Sequence, residues 1–92
     1  MSEIMTEFTC EQTKAITATV EEWDLNKTVK RASEELLELA LSLLHMDRGK
    51  VGVNAVLEEM ADVRIVLKHL EIRFGDYQEE LDRKVIKGNQ ES

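Results

Sequence analysis

The chain contains no proline, and its four glycines fall at positions 49, 52, 75 and 88 of 92. Proline and glycine are the residues least compatible with a helix interior. Confined to these few points, they leave the intervening stretches free to form long uninterrupted helices. Apolar residues in those stretches recur three and four apart, as one face of a helix requires, and no strand-like alternation is present. The expected fold is all-α, a single domain of four helices spanning residues 1–92, with ends that fray over about 1–8 and 88–92.

The punctuation can be placed residue by residue. Thr9 with Gln12 forms a capping-box pattern that starts the first helix, which runs through Ala15, Ile16, Thr19, Val20 and Trp23. Asp24-Leu25-Asn26 interrupts it, and Asn26 is the expected N-cap of the second helix. That helix carries Val29, Ala32, Leu36, Leu39, Ala40 and Leu43. It is expected to stop near Arg48, with Gly49 as the left-handed residue beyond its end. Asp47 to Val53 reads as a loop. Asn54 is expected to cap a third helix whose seam is Val56, Met60, Val63, Leu67, Leu70 and Phe74. Gly75 ends it, and Asp76 caps a short fourth helix with Tyr77, Leu81 and Val85.

A chain of this size buries only about 60–65% of its unfolded surface, so a lone copy is marginal. The second helix, counting Leu37, Leu41 and Leu44, is apolar over roughly 200°, where one packing partner covers about 100°. The third carries an additional stripe of Ala61, Ile65 and Ile72. Both excesses predict a bundle completed by further copies, a homodimer or homotetramer. A net charge of −7 disfavours a nucleic-acid polymer as partner, since that affinity comes from Lys and Arg. The one cysteine, Cys10, makes no internal disulfide, which fits a cytoplasmic setting. No apolar run approaches the roughly 18–20 residues of a membrane span. Met1 to Phe8 lacks the apolar core of a secretory signal. His45 and His69 are expected on the surface.

Chemistry concentrates in two acidic segments, Glu34-Glu35-Leu36-Leu37-Glu38 and Glu58-Glu59-Met60-Ala61-Asp62. Glu35/Glu38 and Glu59/Asp62 are i,i+3 neighbours and share a helix face. Glu59 falls inside the apolar arc of its helix, whereas Glu35 and Asp62 border their arcs and Glu38 lies on the polar side. A carboxylate in an apolar seam is unfavourable unless paired or bound to a metal. Four hard oxygen donors suit Mg²⁺, with Mn²⁺ as the alternative. Neither histidine stands three residues after a glutamate, so the E-x-x-H signature of di-iron bundles is missing.

E-x-x-E followed after a loop by E-x-x-D, here Glu35–Glu38 and Glu59–Asp62, resembles the MazG-like group of the all-α nucleoside triphosphate pyrophosphohydrolase superfamily. The stretches ASEELLELALSLL and EEMADVRIVLKHLEIRFG are similar to short phage-type members, and the resemblance covers about residues 10–86. It implies a four-helix MazG-like bundle completed by oligomerisation. It also implies hydrolysis of a (d)NTP to the monophosphate and pyrophosphate, with Mg²⁺ held by Glu35, Glu38, Glu59 and Asp62. Glu34 and Glu58 are candidates to activate the attacking water. Lys84 is the best match to the family's phosphate-contacting pattern, with Lys27, Lys30 and Arg31 as alternatives. Trp23 is either a base-stacking residue or a lid on the core. Two other functions fit the same residues: a phosphoribosyl-ATP pyrophosphohydrolase, and a non-catalytic helical interaction module.

Overall fold

A computed structural model describes residues 7–91, and all of its secondary structure is helical. Residues 1–6 and 92 lie outside it, with most of the N-terminal end expected to fray, whereas residues 88–91 of the C-terminal end are helical instead of frayed. The helices are α1 (Cys10–Glu22), α2 (Leu25–Asp47), α3 (Val53–Phe74) and α4 (Gln78–Glu91), which continues through Gly88. None of the described helices is long and apolar enough to cross a membrane.

The caps explain the boundaries. The Thr9 hydroxyl accepts from the Gln12 N–H at 3.1 Å, and the Thr9 N–H donates to the Gln12 side chain at 2.9 Å. This is the expected capping box. The cap of α2 is Asp24, not Asn26: its carboxylate accepts from the Lys27 N–H at 2.7 Å. Asp24 takes the role because the chain leaves α1 at Trp23, two residues earlier than a cap at Asn26 would need. α2 ends as expected, with Gly49 at φ 75 and paired bonds from Gly49 N–H to Met46 and from Lys50 N–H to His45. α3 starts at Val53 with Gly52 as its cap residue, so Asn54 lies within the first turn and is not the cap. Gly75, at φ 105, ends α3, and Asp76 accepts from the Gln78 N–H at 3.1 Å.

α2 and α3 form an antiparallel hairpin, which is the main packing of the molecule, and α1 lies against α3. The buried apolar residues are Ile16 and Val20 of α1, Ala32 of α2, and Val56, Val63 and Val66 of α3. Arg73 at the end of α3 fastens α1: its guanidinium donates to the carbonyls of Val20, at 3.0 Å, and Trp23. α4 makes no extensive contact with the other helices.

The seams differ from those read in the sequence. On α3 the line facing inward is Val56, Glu59, Val63, Val66 and His69, while Met60 and Phe74 are exposed. On α2, Thr28, Ala32 and Glu35 are buried, and Val29, Leu36 and Leu43 are exposed. Both seams are rotated towards the carboxylates and away from the bulkiest apolar residues.

Candidate metal centre and adjoining cleft

Antiparallel pairing runs the two acidic motifs past each other, so the end of one meets the start of the other. One carboxylate oxygen from each of Glu35, Glu38 and Glu59 lies within 4.8 Å of the others. Glu35 is only 3% exposed and Glu59 is half-buried. Glu38 is exposed, as expected from the wheel, yet its carboxylate still reaches the cluster. Asp62 is exposed, and it lines the same cleft as Glu35.

The electrostatics are unfavourable without a cation. Burial raises the pKa of Glu35, the charges of Glu38 and Asp62 raise it further, and Arg31 opposes them. Burial likewise raises Glu59, followed by the charges of Glu38, Asp62 and Glu58. Arg31, one turn before Glu35, donates to it at 3.0 Å from the solvent side. Even so, the Oε2 atoms of Glu35 and Glu59 are closed off from water and have no hydrogen-bond partner among the described residues. A buried acceptor left unpaired destabilises the fold. The donors are all carboxylate oxygens, and two of the three residues bring an unpartnered buried atom. That set fits a small hard divalent cation.

Two clefts flank the cluster. One, of about 280 Å³, is lined by Trp23, Arg31, Glu35, Asp62 and His69 together with apolar residues of α1 and α3. The other, of about 290 Å³, is lined by Glu38, Glu58 and Glu59 with His45 and the start of α3. Thus Glu58 is brought to the site, whereas Glu34 is exposed and lines neither cleft. Among the basic candidates, Arg31 lines the first cleft. Lys27 sits 4.9 Å over the ring of Trp23 at its edge. Lys30 and Lys84 line neither cleft, and Lys84 rides on the loosely attached α4.

His69 corrects an expectation. It is buried, 4% exposed, and packs edge-on against Trp23 with ring centres 5.1 Å apart. Burial lowers its pKa, with Arg31 adding to the shift. The signal in the sequence was its position three residues after Val66 and seven after Asp62, on the face that carries the acidic motif. Arg73, by contrast, gave no sequence signal, because its partners are carbonyls about 50 residues away. Compared with family models, curated proteins and solved structures, the chain matches none.

Proposed function

We propose that the chain is a Mg²⁺-dependent nucleotide pyrophosphohydrolase that cleaves a (d)NTP to the monophosphate and pyrophosphate. The observation that carries this reading is the pair of buried, unpartnered Oε2 atoms on Glu35 and Glu59. They come from different helices and converge with Glu38 on one point. A carboxylate cluster alone does not name a ligand, but orphaned buried oxygens from two helices are positions that a cation would satisfy.

Glu35, Glu38, Glu59 and Asp62 would hold the ion, with Mn²⁺ as a substitute. When bound, such an ion neutralises phosphate charge and aligns the in-line displacement. Glu58 is the better-supported base for the attacking water, since it lines the cleft beside Glu59 and Glu34 does not. Arg31 carries donors beyond the one directed at Glu35, and its planar fork suits a phosphate oxygen pair. Lys27 can approach from the rim.

The exposed leucines of α2 favour a homodimer or homotetramer. They equally favour a second reading, a non-catalytic helical interaction module whose apolar face binds a partner. The test is pyrophosphate release from canonical and modified (d)NTPs and phosphoribosyl-ATP, with Mg²⁺ and with EDTA, on wild type and Glu59→Gln. Metal-dependent release that disappears in the variant supports hydrolysis. Its absence from every nucleotide leaves the interaction module as the better reading.

A further inference from the structure

The cleft of about 280 Å³ has two unlike ends. One carries Glu35 and Asp62, with Arg31 beside them. The other is built from Trp23, Ile16, Ile65 and Val66, with His69 set into it. The lining suits a molecule with one end that a cation could bridge to the carboxylates and an apolar or aromatic other end. The volume lies near the small limit of ligand pockets, about 300 Å³.

His69 is the anomaly. Its Nδ1 is closed off from water and has no partner among the described residues. The indole of Trp23 covers the imidazole edge-on, at an interplanar angle of 80°. A residue needed only for packing would be apolar here, because burying an unpaired imidazole nitrogen is unfavourable. Trp23 itself lies outside both helices, at the joint between α1 and α2, half-buried, with Lys27 on its ring. A change of its side-chain rotamer needs no unwinding of either helix and leaves the bond from Arg73 to its carbonyl in place.

We propose that His69 is the specificity-determining residue of a site for a planar heterocycle, pairing its Nδ1 with the hydrogen-bonding edge of the ring, and that Trp23 is the lid that moves aside to admit it. The site rests on the pyrophosphohydrolase reading only in naming the ring as a nucleobase. Trp23 is the chain's one tryptophan, so its fluorescence reports the lid directly.

The experiment is equilibrium binding of the five common deoxynucleoside monophosphates and of ribose 5-phosphate, followed by Trp23 emission and calorimetry, in Mg²⁺ and in EDTA. Wild type is compared with His69→Asn, which keeps a polar atom near the Nδ1 position, and with His69→Gln and His69→Leu, which do not. At least one nucleotide is expected to shift the Trp23 emission, where ribose 5-phosphate does not. His69→Gln and His69→Leu should weaken that nucleotide about tenfold, the worth of one lost hydrogen bond, with ribose 5-phosphate unchanged. His69→Asn should bind as wild type does. Equal losses for ring-bearing and ringless ligands, no loss in any variant, or an unmoved Trp23 would overturn the proposal. Should His69→Leu fail to fold, the contrast between Asn and Gln still decides it. Turnover without any effect of His69 defeats this inference alone. Ring-dependent binding without pyrophosphate release defeats the hydrolase reading alone.

Discussion

The two faces of α2 have exchanged the roles usual for a helix. The inward face presents Thr28, Ala32 and Glu35, all buried, to α3. The outward face presents Leu37, 70% exposed, with Leu41 and Leu44 about half exposed. A soluble helix ordinarily buries its leucines and exposes its carboxylates. Here the hairpin interior holds the acidic site, and the hydrophobic surface that should stabilise it faces away. Burying one such leucine is worth about 1.5–3 kcal/mol. The contrast teaches that the charge of the site and the bulk of the apolar surface lie on opposite faces of one helix.

The sharpest way to break this comparison is at Glu59. Glu59→Gln keeps the shape of the seam and removes the charge. Turnover should fall about 100-fold or more, beyond what even losses in the shell around a metal's ligands produce. In EDTA the same variant should melt higher than wild type, because the buried repulsion is gone. Unchanged turnover would remove the inward face from the chemistry.

The outward face is tested by Leu37→Asp with Leu44→Asp. In an isolated chain exposed substitutions change stability by less than about 0.5 kcal/mol. With copies packed on that face, sedimentation should shift to the monomer, and the melting temperature should fall and lose the dependence on concentration that the wild-type assembly shows. A variant that stays assembled and stable would place the oligomer contact elsewhere.

Arg73→Met removes the clamp on α1 while retaining the aliphatic stem. Two charge-assisted bonds to carbonyls are lost, and denaturant unfolding should show about 1.5–3 kcal/mol less stability. At the ends of the helices, Asp24→Ala should cost about 1 kcal/mol, whereas Asn26→Ala and Asn54→Ala should not. If Asn26→Ala proved as damaging as Asp24→Ala, the boundary of α2 would be misplaced.

The pH dependence separates the inward groups. Glu35 and Glu59 hold protons more tightly folded than unfolded, so their stabilising contribution is complete below the ordinary value of 4.5 and is lost as pH rises above it. His69 has the opposite sign: its contribution is lost as pH falls below 6.5. Denaturation in EDTA should therefore show stability falling from pH 4.5 towards neutrality, less steeply in Glu59→Gln. Added Mg²⁺ should reverse the fall by favouring the carboxylate forms. Parallel slopes in wild type and variant would show that Glu59 carries no such penalty.

Much of this was legible in the sequence for local reasons. Thr9 with Gln12, Gly49 and Gly75 act within a few residues, and chain chemistry alone fixes what they do. The pairing of Glu35, Glu38 and Glu59 followed from helical spacing plus a short loop that forces two helices to run antiparallel. Asn26 and Asn54 misled because several polar residues near a helix start compete to cap it, and the winner depends on where the preceding segment leaves.

The sequence by itself determined the helices, their order, the excess of apolar surface and the shared face of the acidic residues, since a period of about 3.6 residues fixes which side chains stand together. Only the tertiary structure decided which face turned inward. It turned Met60 outward from the seam that Glu59 shares, buried His69 beneath Trp23, left the leucines of α2 outside, and joined Arg73 to carbonyls far along the chain. Periodicity groups residues on a helix, but rotation about the helix axis is chosen by the partner's shape and charge, which no single segment contains.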